Sequence, residues 1–153
     1  MNKPGLPAFL FLLNIITMNE IIISNRDAAR IWSYIEEARR GGAKVGENLV
    51  PLMNELNRAK KVDPEKMPSD VVTMNSVVSL RNIKTNKVTR IQIVYPPQSD
   101  ISQQKISIFA PVGTALLGYR KGNLVEWNTP SGITQFEILD ILYQPEADGK
   151  FDL

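Results

Sequence analysis

Lys105-Ile106-Ser107-Ile108-Phe109-Ala110-Pro111-Val112-Gly113-Thr114-Ala115-Leu116-Leu117-Gly118 decides how the rest of the chain is read. Ile106 and Ile108 alternate with Lys105, Ser107 and Phe109, the period of two of a pleated strand with unlike faces. Pro111 ends that ladder, because it has no N–H to donate. The same residue suits the first position of a helix, and Ala115, Leu116 and Leu117 favour a helical turn. Gly118 is suited to close the turn in a left-handed conformation. The stretch therefore predicts a strand, a corner and a helical turn that covers a sheet.

Outward from this corner the period of two continues. Strands are expected near 77–83, 89–95, 104–109, 123–128 and 133–142. The first two face each other across Lys84-Thr85-Asn86-Lys87, and turn clusters lie at Arg120-Lys121-Gly122-Asn123 and Thr129-Pro130-Ser131-Gly132. Upstream, Val62 to Asp70 holds two prolines and alternating charge, as a linker does. Before it the period becomes helical. Ala28, Ile31, Trp32, Ile35 and Ala38 stripe a helix from about 27 to 40, and Leu49, Leu52, Met53, Leu56 and Ala59 stripe a second from about 48 to 61. Gly41 to Gly46 links them, so an antiparallel helical hairpin about 21 Å long is expected. A short strand over Glu20–Ser24 precedes it. The class is α+β: an apolar extension at 1–17, a hairpin (a short coiled coil) at 18–62, a linker at 63–76 and a sheet domain at 77–153.

Composition narrows the chemistry. The 153 residues are 43% hydrophobic and 22% charged, as in a globular protein with its own core. There is no cysteine and no histidine, which excludes disulfides, thiol nucleophiles, zinc–thiolate sites and imidazole acid–base catalysis. A reducing cytoplasm is the expected location. The net charge of +2 leaves no footprint for sequence-specific nucleic-acid binding. Positive charge is concentrated early: residues 26–61 carry eight Lys and Arg against five acids, residues 62–153 nine against ten. The apolar run Leu6 to Thr17 is too short to span a bilayer. It is open to three readings: an extension outside the fold, an element packed on the fold or on another subunit, or a targeting segment. A monomer is expected, with residues 6–16 as a route to self-association.

Candidate residues are few. Glu36 and Glu37 are adjacent on a helix and diverge by about 100°, so they do not chelate together. No metal and no cofactor are expected. Arg39, Arg40 and Lys44 form a basic hairpin tip, either a solvated helix end or a contact for an acidic or phosphate-rich surface. Trp32 lies on the first helix stripe, where a core role is favoured; Trp127 lies on a strand, open to a core or an exposed apolar role.

Several motifs in order then point to a family. Ser107-x-x-x-Pro111, Ala115-Leu116-Leu117-Gly118-x-x-x-Gly122-Asn123, Pro130-x-Gly132 and Phe136-Glu137-Ile138, behind a helical hairpin, resemble the Gre transcript-cleavage factors. Pro68-x-Asp70-Val71-Val72-Thr73-Met74-Asn75-Ser76 and Tyr143-Gln144-Pro145-Glu146-Ala147 are similar to motifs of the short-fingered branch of that family, the regulators of nucleoside diphosphate kinase (Rnk). The likeness runs from Met18 to the C-terminus. It implies an FKBP-like antiparallel β-sheet domain with one short helix. It implies RNA polymerase as partner, docked at the secondary-channel rim through Ser107, Phe109 and Pro111 with the finger turned inward.

Two departures shape the functional expectation. Phe109 stands where cleavage factors favour an acid. The tip Arg39-Arg40-Gly41-Gly42-Ala43-Lys44 lacks the paired acids with which those factors help hold a catalytic Mg²⁺, and positive charge there repels the metal. The resemblance thus implies a non-catalytic regulator that binds the polymerase and competes with Gre-type factors. The alternatives are a transcript-cleavage elongation factor, or an adaptor influencing nucleoside diphosphate kinase. Prolyl isomerase activity is not implied, because a shared fold is not a shared active site.

Overall fold

A computed structural model describes residues 20–41 and 49–153. The expected extension at 1–17, Lys44 and most of the tip turn lie outside the described residues. Among those described, no helix is long and apolar enough to cross a membrane.

The chain opens with β1 (Ile22–Ser24) and α1 (Asn25–Arg40), followed by α2 (Leu49–Arg58) and β2 (Lys60–Val62). Ser24 starts α1: its Oγ accepts the Asp27 N–H at 3.0 Å and satisfies one of the free donors of the first turn. The helical period then buries one stripe on each helix, Ala28, Ile31 and Ile35 on α1 and Leu49, Leu52 and Leu56 on α2. The two helices form the expected hairpin. The second helix is shorter than its pattern suggests, ending at Arg58 and not near 61. The Lys60 N–H donates to the Ile21 carbonyl at 2.9 Å, and β2 runs parallel to β1 with Ile22 beside Lys60 and Ser24 beside Val62. Pairing with a strand far upstream takes these residues out of the helix.

The sheet comprises β3 (Val77–Asn82), β4 (Val88–Val94), β5 (Lys105–Ser107), β6 (Leu124–Thr129) and β7 (Gly132–Tyr143), in the order β5-β4-β3-β7-β6. Neighbours are antiparallel except at one edge, where β5 runs parallel to β4 with Ile93 beside Ile106. The expectation of a wholly antiparallel sheet is corrected there. Two 3₁₀ turns, Pro96–Gln98 and Ile101–Gln103, carry the chain back between β4 and β5. One short helix, α3 (Pro111–Leu116), follows β5.

A single apolar cluster joins the hairpin to the sheet: Ile31, Ile35, Leu52 and Leu56 share it with Val78, Leu80, Ile93, Ile108, Leu116 and Ile138. The stretch read as a linker contributes buried Val71, Val72, Thr73, Met74 and Ser76. It is fastened at both faces. The Gln144 amide donates to the Pro68 and Val71 carbonyls at 2.8 Å each, and the Arg120 guanidinium meets both Asp70 oxygens at 2.8 and 3.0 Å.

Gly118 is the junction of these parts. Its N–H donates to the Val72 carbonyl at 2.8 Å and its carbonyl accepts the Ile22 N–H at 3.1 Å. Its φ is +86°, and a Cβ there would lie 3.0 Å from the Ile21 Cβ and 3.2 Å from the Ile22 backbone. Gly118→Ala is expected to cost about 1–2 kcal/mol, the penalty of a left-handed L-residue. Urea unfolding reads this as a lower midpoint with an unchanged slope.

Candidate functional site: the strand-to-helix corner

The corner forms because Ser107 folds the chain on itself. Its carbonyl accepts the Ala110 N–H at 2.9 Å and its Oγ accepts the Phe109 N–H at 3.0 Å. Between them Ile108 is fully buried, and its N–H donates to the Val94 carbonyl at 2.8 Å. Pro111 then occupies the first turn of α3 and stands exposed. The helix lies so close to the strand that only glycine fits at 113. A Cβ there would stand 2.8 Å from the Ser107 oxygen and 2.9 Å from the Ile108 Cα.

The three residues expected at this corner are brought together but are not equally available. Pro111 is presented to solvent. Phe109 is half-buried, its ring packed against the main core. Ser107 is half-buried with its hydroxyl engaged by Phe109. The other expected group stands apart. Arg39 and Arg40 are exposed at the far end of α1, about 24 Å along the helix from its Ser24 cap. Arg39 pairs with Glu36 at 3.3 Å with both side chains about half exposed, a geometry of little energetic weight.

Beside Pro111 runs a groove of about 420 Å³ between α2, α3 and β6. Its apolar wall is Pro51, Pro111, Ala115 and Trp127. Trp127 is half-buried, its ring stacked on Phe136 at 4.1 Å and 5°, so one indole serves both core and groove. A clasp joins two of its lining residues, Glu55 and Tyr119. The Arg58 guanidinium donates to both Glu55 oxygens, at 2.9 and 3.2 Å, and to the Tyr119 hydroxyl at 3.1 Å. The Tyr119 hydroxyl donates in turn to Glu55 at 3.3 Å. Burial pushes the Tyr119 phenol above its ordinary pKa, so it keeps its proton and its donor role. The clasp ties the second finger helix to the end of the corner.

A buried polar cluster at the base of the finger has no counterpart in the sequence reading. Asp27 is 3% exposed. One carboxylate oxygen accepts the Met74 N–H at 3.2 Å, the other the Tyr95 hydroxyl at 3.3 Å. Burial, and then the charge of Glu146, push its pKa up to about 7. Glu146 is itself raised by burial; one oxygen accepts the Thr73 hydroxyl at 2.8 Å. The Tyr95 ring carries the Arg30 guanidinium at 5.6 Å and stacks on Tyr34. These bonds hold the start of α1 to the sheet. Among the described residues, no three acids converge as a metal site.

The corner, the groove and the clasp adjoin one another, and relatives share the frame. Residues 67–143 match the family described as transcription elongation factor, GreA/GreB, C-terminal. Over 132 residues the chain is 42% identical to the regulator of nucleoside diphosphate kinase of Escherichia coli strain K12, spanning 86% of this chain and 95% of that protein. It is 34% identical over 122 residues to the transcription elongation factor GreA of Clostridioides difficile, spanning 80% and 76%. A solved structure, the prokaryotic transcription elongation factor GreA/GreB from Nitrosomonas europaea, is 39% identical and superposes with a TM-score of 0.69 over 81% of this chain and 100% of that one. The chain belongs to the GreA/GreB family of transcription elongation factors.

Proposed function

We propose that this protein is a non-catalytic cytoplasmic regulator that docks on RNA polymerase at the secondary-channel rim and competes there with Gre-type factors. One observation carries the reading: Pro111 is held exposed at a corner anchored by buried Ile108 and Gly113, in a chain that belongs to the Gre family. Ser107 and Phe109 support Pro111 from behind and complete the contact. The curled sheet with α3 serves as an FKBP-like platform, used for docking and not for isomerisation. Residues 18–62 act as the finger, 63–76 join it to the platform, and 77–153 form the platform itself.

The finger has lost the chemistry of cleavage. Arg39 and Arg40 are exposed at its end, and Lys44 follows in the tip sequence. Cations do not recruit Mg²⁺ to a polymerase active centre. In stalled, backtracked elongation complexes the protein is expected to release no short RNA 3′ fragments, and to suppress in a dose-dependent way the release stimulated by added GreA. Faster fragment release on addition of the protein alone would make it a cleavage factor instead.

The name of the 42% identical relative favours a second reading, an adaptor for nucleoside diphosphate kinase. Co-elution of the two purified proteins on size exclusion would support it.

A further inference from the structure

We infer that the loop between β4 and β5 is a second docking element, whose Ile101 is an apolar knob that enters an uncharged recess of RNA polymerase. The inference rests on the polymerase reading above and adds a contact outside the corner.

Ile101 is 83% exposed, more than any other large apolar side chain among the described residues. Single exposed isoleucines are ordinary, and Ile133 is another. What distinguishes Ile101 is the loop that carries it. The backbones of Asp100 and Lys105 exchange two hydrogen bonds of 2.9 Å. The Gln103 N–H donates to the Asp100 carbonyl at 3.0 Å and the Gln104 N–H to the Ile101 carbonyl at 2.9 Å. One Asp100 carboxylate oxygen accepts both the Ser102 N–H, at 3.1 Å, and the Ser102 hydroxyl, at 2.6 Å. The Ser102 hydroxyl holds the Asp100 carboxyl below its ordinary pKa, so this staple stays charged at neutral pH. Ile101 is thereby fixed in solvent before any partner arrives, and little conformational freedom is lost there on binding.

Composition selects a protein partner. From Tyr95 to Gln104 only Asp100 is charged, in a chain that is 22% charged. Ser99, Ser102, Gln103 and Gln104 are exposed around Ile101. An apolar centre with an uncharged polar rim suits a protein recess, and without lysine or arginine the loop offers nothing to nucleic-acid phosphate. Position then selects the polymerase. Ile101 precedes β5 and Pro111 follows it, and Lys105 and Ser107 are about 7 Å apart along that strand. The Asp100–Lys105 pairing fastens the loop to one end of β5, and the other end forms the corner. Since β5 is the outermost strand, loop and corner share one edge of the sheet, where one partner surface can meet both.

The test uses the full chain, immobilised core RNA polymerase and two exposed substitutions. Ile101→Ser removes the knob. Ile133→Ser is the control: it removes an isoleucine that is 75% exposed at the start of β7, away from the β5 edge. Thermal midpoints close to wild type establish that both variants are folded. Ile101→Ser is expected to weaken binding about tenfold, the scale of one buried isoleucine, through faster dissociation. The defect should persist as salt is raised, because the contact is apolar. Ile133→Ser is expected to bind within twofold of wild type. Binding of Ile101→Ser within twofold of wild type would overturn the inference and leave docking at the corner standing. Equal losses in both variants would also overturn it, since they would report general surface hydrophobicity. Absence of wild-type binding would overturn the polymerase reading and this inference with it. A dimer in solution that Ile101→Ser dissolves would assign the knob to a second copy of the chain, again overturning the inference.

Discussion

Asp27→Asn is expected to gain on the wild-type protein by roughly 4 kcal/mol as the pH rises from about 4 to about 7.5, since one pKa unit is worth about 1.4 kcal/mol. The sign follows from the direction of the shift. The Asp27 carboxyl titrates near 3.8 in an ordinary setting and near 7 in the fold. Between those values the folded state holds one more proton than the unfolded chain, so stability falls with rising pH. The contribution is complete below about 3.8 and lost as pH passes through about 7. Glu146 shifts in the same direction and adds to the trend. Asparagine keeps the shape and removes the charge: its oxygen accepts from Met74, and its amide donates to the Tyr95 hydroxyl oxygen. Urea unfolding of both proteins across this range measures the difference. A gap that stays constant with pH would mean that Asp27 is not held protonated at the base of the finger.

Gly113→Ala is the second large effect. The added methyl would press on two backbone atoms, the Ser107 oxygen at 2.8 Å and the Ile108 Cα at 2.9 Å. Backbone has no rotamer in which to retreat, so helix and strand must separate. Overpacking of this kind costs about 1–3 kcal/mol, and a site walled by backbone belongs at the upper end. A loss of about 3 kcal/mol in a chain of this size lowers Tm by roughly 6–12 °C. Calorimetry gives the shift, and an unchanged Tm would show that α3 lifts off the strand without penalty. The same separation displaces Pro111, so polymerase binding should weaken in the fraction that remains folded.

Much of this fold was legible because its signals are local. Ile106 and Ile108 mark a strand by alternation, Pro111 marks the corner by its missing donor, and the stripes of both finger helices follow from a period near 3.6. What was illegible depends on partners distant in sequence. Lys60 and Lys61 extend the polar face of α2 in any local reading, yet the Ile21 carbonyl claims the Lys60 N–H and starts a parallel strand. The parallel edge at β5 has the same origin, since alternation does not reveal which neighbour a strand chooses.

The site shows the same division. Pro111 was marked by its own chemistry and by the family resemblance. Asp27 lies in the first turn of α1, where an acid ordinarily complements the helix; only the approach of Met74 and Tyr95 makes it a buried tether. Trp127 was open to a core or a surface role, and stacking on Phe136 beside the groove gives it both.

Equilibrium binding of the full chain to core RNA polymerase, measured with and without saturating GreA, tests the central claim most directly. The account predicts saturable binding at low salt that GreA displaces and that Pro111→Ala weakens. Absence of binding, or binding that GreA leaves unchanged, would contradict it.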